Sequence, residues 1–528
     1  MKNISDHIKQ YAKIGIALSA EKDTNKLFEM IVEEAMSLSS ADAGTLYILD
    51  KKSMQLNFEI VLNNKMNTRL GGTSGSKIKI HPVPLYVDGS PNYANVSSYV
   101  AITGKAVNIP DVYESGTFDF IGPKKYDEKS GYRSKSMLVI PMKNHEDKII
   151  GVLQLLNAQE PWTDNIIPFD EDYEDLIASL ASQAAVALNN VQLIKELELL
   201  FHAFIRSIAT AIDEKSPYTG GHIKRVVELT SMIAEQINKA DTGSFKNITF
   251  NNEELEELKI AAWMHDVGKI TTPEFIIDKM TKLETIFDRI DLVVTRFRLI
   301  RETLKTDFLM QKITLMENAP SSTSDISKSE EDYQQAVAEI NDELTFIKQC
   351  NHTGAFMSEE MIERLRSIAA KTYMVNGEPS PYLTQDEVTN LCIRKGTLTT
   401  DERQKIENHA AMTLKITNQL PFPNNLADVP KYASAHHEKL DGSGYPLGLS
   451  EKDLPLQSRI IGIADIFEAL TAHDRPYKEP MKLSKALRIL DFMQKDQHID
   501  AEILKLFIET GIHRAYAQKE LGSEQLDI

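Results

Sequence analysis

The pair His436-His437 lies between a helical segment and the loop Asp441–Pro446, whose sequence is Asp-Gly-Ser-Gly-Tyr-Pro. On a regular helix, adjacent side chains point about 100° apart, so such a pair normally has one buried and one exposed member. The two glycines and the proline end the helix here, which frees both imidazoles to turn toward one point. From this stretch alone, a shared ligand site and a helix end with surface histidines are both open.

Further imidazole and carboxylate groups interrupt apolar or helical segments elsewhere in the chain. His265 and Asp266 form a polar dyad at the end of an apolar helix, and Asp465 lies inside a strongly apolar one. Because a buried carboxylate without a partner is very costly, Asp465 needs a cation or a tight hydrogen bond. His222 begins a helix and His409 lies in a polar helix, and each has an ordinary structural interpretation when it is considered alone.

The order of these residues resembles that of the HD-GYP family, the cyclic di-GMP phosphodiesterases of the metal-dependent HD superfamily. A first histidine, a His-Asp dyad followed by Gly and Lys, a lone histidine, a His-His pair before Asp-Gly-Ser-Gly-Tyr-Pro, and a helical aspartate occur in sequence from about His202 to Gly511. The resemblance implies a first metal held by His222, His265, Asp266 and Asp465, and a second held by Asp266, His409, His436 and His437. The family's third-metal glutamate is replaced by Tyr218, so two ions are expected.

Imidazole and carboxylate ligands without thiolates suit divalent Fe or Mn, with Zn as a further candidate. The resemblance implies that cyclic di-GMP is hydrolysed to pGpG, with further hydrolysis to GMP left open, by a hydroxide that both metals activate. It makes Asp266 and Lys269 catalytic, with Lys269 contacting the phosphate. It adds three substrate contacts: Arg475, Lys478 and Tyr445. Asp441 is expected to fix the loop or to orient a ligating imidazole.

Two other functions remain open. One is a non-catalytic receptor or scaffold for cyclic di-GMP, and the other is an HD-superfamily phosphohydrolase that acts on another nucleotide. The loop Asp441–Pro446 favours the HD-GYP branch over the second alternative.

Residues 1–175 combine two amphipathic helices with apolar runs typical of strands, including Lys77–Ile80, and a long region over Pro82–Lys135 that we predict to be irregular. The stretches Val100–Asp111, Ser130–Leu138 and Ile150–Asn157 resemble GAF domains, most closely those of cyclic-nucleotide phosphodiesterases and adenylyl cyclases. Their Asn-Lys…Phe-Asp-Glu signature is matched except that Ala158 replaces the lysine. The GAF ligand is therefore open: a cyclic nucleotide, another small molecule, or none in a domain that only dimerises.

The segment Tyr173–Ser216 contains no proline or glycine, and its apolar residues recur every three or four positions. This pattern predicts one long helix whose apolar stripe needs a partner. A parallel homodimer would supply that partner, and packing against the chain's own domains is the alternative.

We therefore predict a multidomain chain: an α/β GAF sensor domain (1–175), a coupling and dimerisation helix (176–200) and an all-α HD-GYP domain (201–528). A helical insertion at about 285–395 separates Lys269 from His409. The ends of this insertion, near Lys282-Leu283 and Gly396–Thr399, are expected to meet. The insertion is either an inert subdomain, a lid over the site or a dimer contact.

Composition limits the partners of this protein. Its 528 residues carry a net charge of -18, which argues against a nucleic-acid polymer or an anionic membrane as the main partner. The two cysteines give no disulfide framework and no cysteine-based zinc site. No stretch resembles a signal peptide or reaches the roughly 20 apolar residues of a membrane span. We expect a cytoplasmic protein.

Overall fold

The computed structural model describes residues 13–160, 163, 165–215, 220–318, 323–352, 356–472 and 480–528. Two compact units divide between Phe201 and His202. The first contains an antiparallel sheet in the order β3-β2-β1-β9-β8-β7, with β4 beside β2 and β10 beside β9. Its strands are β1 Ala41–Asp50, β2 Gln55–Asn63, β3 Thr68–Gly71, β4 Val83–Pro84, β7 Val107–Ile109, β8 Met137–Lys143, β9 Ile149–Gln159 and β10 Ile166–Ile167, and β5 Tyr86–Val87 pairs with β6 Ser90–Pro91.

Helices cover both faces of this sheet. They are α1 (residues 13–20), α2 Thr24–Ser39, α3 Val96–Thr103, α4 Ile121–Ser130 and α5 Glu171–Asp213. Helix α2 begins where the Asp23 carboxylate accepts hydrogen bonds from two backbone N–H groups. Its buried face, which includes Leu27 and Ile31, shares a core with Leu180 and Ala184 of α5. A second core under α3 contains Val100 and Val139.

The prediction of an irregular Pro82–Lys135 region is wrong in part. This region holds α3, α4 and four short strands, each of only two or three residues. Such elements are too short to show a hydrophobic period in the sequence. The expected strand at Lys77–Ile80 is also wrong, since these residues form no strand and β3 at Thr68–Gly71 pairs with β2 instead.

Helix α5 is continuous over 43 residues. Residues of its first half, among them Ile177 and Leu188, lie in the core of the first unit. In this half of the helix the apolar stripe therefore packs against the chain's own domain, which was the alternative to a dimer. Beyond it, Leu193, Leu197 and Leu200 are 51–66% exposed. By length and composition alone, Glu174–Asp213 would also pass as a membrane span, and the burial of its first half explains much of this apolar character.

The second unit is mainly helical in its described residues. Its helices are α6 His222–Lys239, α7 Asn252–Met264, α8 Glu274–Ile277, α9 Ile290–Asn318, α10 Thr323–Asn351, α11 Glu359–Ala369, α12 Gln385–Leu391, α13 Thr400–Thr417, α14 Val429–Ser434, α15 Leu456–Thr471, α16 Leu483–Lys495, α17 Ala501–Glu509 and α18 Ile512–Glu520. A 3₁₀ helix over Val267–Thr271 packs on α13. This contact joins two of the elements that carry predicted ligands.

The insertion has a hydrophobic core of its own, with α9, α10, α11 and α12 contributing Phe297, Ile347, Leu365 and Leu391. It also contains a hairpin, β11 Thr372–Val375 with β12 Glu378–Pro381, which the sequence analysis missed. The Asn-Gly pair between these strands has positive φ at both residues, as a two-residue hairpin turn requires. This pair was the sequence signal for the hairpin.

Two lysines close the stem of the insertion. Lys279 Nζ lies 2.8 Å from each carboxylate oxygen of Glu402, which belongs to α13. Lys282, 1% exposed, donates to the carbonyl oxygens of Leu391 (3.1 Å) and Ile393 (2.7 Å). The hydroxyl of Thr397 also donates to the carbonyl oxygen of Lys279 (3.1 Å), which confirms that the ends of the insertion meet.

A buried ion pair stabilises the insertion and can be tested there. Arg296 holds Glu387 through two hydrogen bonds of 2.7 and 3.1 Å, and the Glu387 side chain is 4% exposed. Arg296→Met would leave this buried carboxylate without its cation, which we expect to lower the free energy of unfolding by about 3 kcal/mol. Arg298→Met, on the exposed side of the same helix, should change it by less than about 0.5 kcal/mol. Urea unfolding measures both variants, and equal stabilities would contradict the stabilising role of this ion pair.

Candidate metal centre

The structure brings the seven predicted ligand residues together, although they come from five separate places in the chain. They are His222 at the start of α6, His265 and Asp266 after α7, His409 on α13, His436 and His437 after α14, and Asp465 on α15. The potential ligand atoms form two groups, and within each group they lie within 4.8 Å of one another. One group is His222, His265 and Asp266, and the other is His409, His436 and His437.

The carboxylate of Asp266 lies near imidazoles of both groups. Its Oδ2 is 3.5 Å from Nε2 of His222 and 3.3 Å from Nε2 of His265. Its Oδ1 is 3.4 Å from Nε2 of His409. Asp465 Oδ1 faces the first group, 3.3 Å from Nε2 of His222. One carboxylate thus presents each of its oxygens to a different set of imidazoles, as a bridging ligand must.

The hydrogen bonds of three histidines determine which ring nitrogen carries the proton. Nδ1 of His265, His409 and His436 lies 2.6–2.7 Å from the carbonyl oxygen three residues earlier in each case. A carbonyl oxygen only accepts, so Nδ1 is the donor and Nε2 of the neutral ring has a free lone pair. These Nε2 atoms are buried and make no hydrogen bond to any residue that the structure describes. Buried polar atoms rarely lack a hydrogen-bond partner, and each of these three Nε2 atoms is suited to bind a divalent cation.

The electrostatics of the site also favour metal binding. Burial, together with the neighbouring imidazoles, lowers the pKa of His436 well below its ordinary value, and burial lowers that of His437 to about 3. Both rings are therefore neutral, as metal ligands must be. Burial opposes ionisation of Asp266, but the Lys269 ammonium and the His265 ring hold its pKa well below the ordinary value. Burial also opposes protonation of His222 and His265, but the carboxylates of Glu468 and Asp266 raise the pKa of these two rings. The neutral imidazoles of His436 and His437 therefore lie on one side of an ionised carboxylate, and the rings that the carboxylates favour in the charged form lie on the other.

Glu468 is a buried partner of the candidate ligand His222 that was not predicted from the sequence. It is fully buried, contacts Nδ1 of His222 through Oε2, and accepts a 2.8 Å hydrogen bond from Nε of Arg225 through Oε1. Because Nδ1 of His222 donates to this carboxylate, Nε2 of His222 is the nitrogen that faces Asp266 and Asp465. The signal was present in the sequence: Asp465 and Glu468 are three residues apart on α15, and His222 and Arg225 have the same spacing on α6.

The loop after the histidine pair is held by another buried carboxylate, Glu438. It accepts hydrogen bonds of 2.6–3.1 Å from the backbone N–H groups of Leu447, Gly448 and Leu449. The ring of Tyr445 lies 4.9 Å from that of His437, so this predicted substrate residue does lie beside the candidate ligands.

Asp441 contacts its own loop and does not orient a ligand imidazole through any hydrogen bond among the described residues. Its exposed carboxylate accepts from the backbone N–H (2.8 Å) and the hydroxyl (3.0 Å) of Ser443, which stabilises the loop. Among the described residues, its hydrogen bonds include none to a ligand imidazole, and the carboxylate that orients such a ring is Glu468. Lys269 Nζ lies 2.6 Å from Asp266 and is 30% exposed. Arg475, Lys478 and Tyr218 lie outside the described residues.

A close backbone approach connects the dyad to α13. A Cβ atom on Gly268 would lie 1.9 Å from the carbonyl oxygen of His409, so only glycine fits at this contact. Thr413 Oγ1 accepts from the Gly268 N–H (3.0 Å) and donates to the carbonyl of His265 (2.9 Å). These bonds bring His409 within reach of Asp266.

Comparisons with known families agree with the two units. Residues 23–188 match the GAF domain, and residues 219–350 and 385–503 each match an HD domain. The chain carries a GAF domain and an HD domain. The two HD domain matches leave residues 351–384 between them, inside the insertion.

Curated relatives match short segments of this chain. A probable cyclic di-GMP phosphodiesterase of Vibrio cholerae is 38% identical over 124 residues, which are 22% of this chain and 28% of that protein. The 3'3'-cGAMP-specific phosphodiesterase 3 of the same organism is 44% identical over 105 residues (20% and 22%). A cyclic di-GMP phosphodiesterase of Thermotoga maritima is 31% identical over 119 residues (22% and 32%). The matches thus span about a third or less of these relatives.

The role of Glu468 in the HD domain can be tested by Glu468→Gln. The amide retains the size of the side chain but cannot accept from both His222 and Arg225, because one of its two polar atoms is now a donor. Loss of such an orienting partner typically weakens metal affinity about 10–100-fold. Titration with Mn²⁺, followed by electron paramagnetic resonance, measures this. The exposed control Glu509→Gln should bind as wild type does, and unchanged affinity in Glu468→Gln would refute the orienting role.

Proposed function

We propose that this chain is a metal-dependent phosphodiesterase that hydrolyses cyclic di-GMP to pGpG, with GMP as a further product. The main support is the position of Asp266: Nε2 of His265 lies 3.3 Å from its Oδ2 and Nε2 of His409 lies 3.4 Å from its Oδ1, and neither Nε2 has a hydrogen-bond partner among the described residues. The names of the relatives add the substrate class.

We assign the ligands as the sequence predicted. His222, His265, Asp266 and Asp465 hold one divalent ion, and Asp266, His409, His436 and His437 hold a second. The nitrogen and oxygen donors favour Fe or Mn, with Zn as a further candidate. When bound, such ions activate water as a nucleophile and stabilise charge on a phosphodiester.

The side chains around these ligands bind and orient the substrate. Lys269 combines partial exposure with a 2.6 Å contact to Asp266, so its ammonium can reach a phosphate oxygen while it remains beside the centre. Tyr445 covers the His437 ring and limits water access from that side. Arg475 and Lys478 stay predicted substrate contacts. The HD domain therefore offers a cation for the phosphate beside the ligands that would hold the metals.

A second substrate, 3'3'-cGAMP, is favoured by the relative that is named for it. The two cyclic dinucleotides differ only in one base, so the same centre could open either ring. The receptor and scaffold alternative predicts binding without turnover.

The decisive experiment loads the protein with Mn²⁺ or, anaerobically, Fe²⁺ and follows both dinucleotides by chromatography. We expect pGpG from cyclic di-GMP, and we expect Asp266→Ala to lower turnover about a thousandfold because both ions lose a ligand. Asp401→Ala, an exposed residue of α13, serves as the matched control. Faster opening of 3'3'-cGAMP would make it the substrate, and full activity in Asp266→Ala would exclude the two-metal mechanism.

We further propose that the chain is a cytoplasmic homodimer in which the GAF domain regulates the HD domain through a small-molecule ligand, a cyclic nucleotide being one candidate. Leu193, Leu197, Leu200 and Phe204 form an exposed stripe on α5 with spacings of three and four residues. This pattern suits a parallel pair of helices from two copies. The described cysteines, Cys350 and Cys392, are both free, in keeping with a reducing compartment.

The dimer can be tested with one pair of variants. Leu197 and Leu199 are each 66% exposed, but they point about 200° apart on the helix. Leu197→Glu should convert the dimer into a monomer, because it places a charge in the paired stripe, whereas Leu199→Glu should not. Sedimentation velocity distinguishes the two states. A monomeric wild-type protein, or equal effects of both variants, would overturn this interface.

A further inference from the structure

The first turn of α6 lacks a cap from its own N-cap residue. That residue is Gly221, which has φ of 87° and no side chain to accept a hydrogen bond. The missing acceptor comes from Asp213, the last residue of α5, whose Oδ2 lies 2.7 Å from the Gly221 nitrogen. Asp213 is 8% exposed, and its negative charge lies at the positive end of the α6 dipole. The residue after Gly221 is the candidate ligand His222.

Lys215, two residues after Asp213, holds the end of the 3₁₀ helix over Val267–Thr271. Its Nζ donates to the carbonyl oxygens of Lys269 (3.2 Å), Ile270 (2.8 Å) and Thr272 (2.6 Å). An ammonium group has three N–H donors, and here each has an acceptor. The carbonyls belong to the end of the 3₁₀ helix that follows the His265-Asp266 dyad, where a positive charge is also favourable.

We propose that Asp213 and Lys215 are positioning residues for the HD-domain centre, a role that rests on the proposed function. Asp213 fixes the helix start that presents His222, and Lys215 fixes the turn that presents Lys269. They act on different partners, so their loss has different consequences. Asp213 supports metal binding, whereas Lys215 supports the phosphate contact. Asp213 ends α5 and Lys215 lies two residues beyond it, so both contacts are made by the same end of this helix.

For Asp213, the informative pair is Asp213→Ala and Asp213→Asn. Alanine leaves the Gly221 N–H without its acceptor, and asparagine restores an acceptor of nearly equal capping strength. We expect the Mn²⁺ dissociation constant to rise about tenfold in Asp213→Ala and to stay within about twofold of wild type in Asp213→Asn. Paramagnetic resonance measures this without substrate. Equal loss in both variants, or no loss in Asp213→Ala, would overturn the assignment.

For Lys215, the test compares Lys215→Met with Lys224→Met, which removes the same charge from an exposed position on α6. Amide hydrogen exchange over residues 267–272 should be faster in Lys215→Met alone, with Mn²⁺ affinity unchanged. The KM for cyclic di-GMP should rise about tenfold at constant kcat, because a ground-state contact is displaced. Unchanged exchange, or a parallel loss of metal affinity, would overturn the split of roles. A wild-type protein without turnover would instead count against the proposed function, since exchange and metal affinity need no substrate.

Discussion

The HD domain is organised around one buried charge, the carboxylate of Asp266. It is 2% exposed, and a desolvated anion of this kind requires compensating positive charge. Lys269 supplies one cation, but the buried Nε2 atoms around it can only accept and therefore add negative potential to the same space. Divalent ions would satisfy the carboxylate and the lone pairs together. The other features of the site determine where those atoms lie.

Backbone groups do most of this positioning. Carbonyl oxygens fix the proton on Nδ1 of three histidines. The backbone before each histidine therefore determines the tautomer, in which Nε2 has the lone pair. The contact between Gly268 and α13 needs the absence of a side chain. The Glu468 carboxylate does for His222 what a carbonyl does for the other rings. The centre therefore depends on close helix packing as much as on the identity of its ligands.

These dependences explain what the sequence could predict. The ligand set was implied by the resemblance to the HD-GYP family, whose residue types occur here in the same order. The cost of burying an unpaired carboxylate pointed by itself only to Asp465. Glu468 escaped because its spacing from Asp465 shows only that the two residues share a helix face, whereas its contacts with His222 and Arg225 require α6 and α15 to lie side by side. The short strands between β4 and β7 escaped because two or three residues show no period. For Asp441 the sequence left two roles open, and its hydrogen bonds to Ser443 agree with the one that fixes the loop, because a loop carboxylate can satisfy its own backbone.

The insertion shows why the site tolerates a long interruption. The ends of a loop must return to one place, and the entropy of closing the loop grows only slowly with its length. Here the return is fixed by Lys279, which contacts Glu402 in the first turn of α13, and by Lys282. His409 lies seven residues after Glu402 on the same helix. The contacts of Lys279 and Lys282 thus fix the position of α13 at the ends of the insertion. The inserted helices pack in a core of their own, so the insertion does not disturb the arrangement of the ligands.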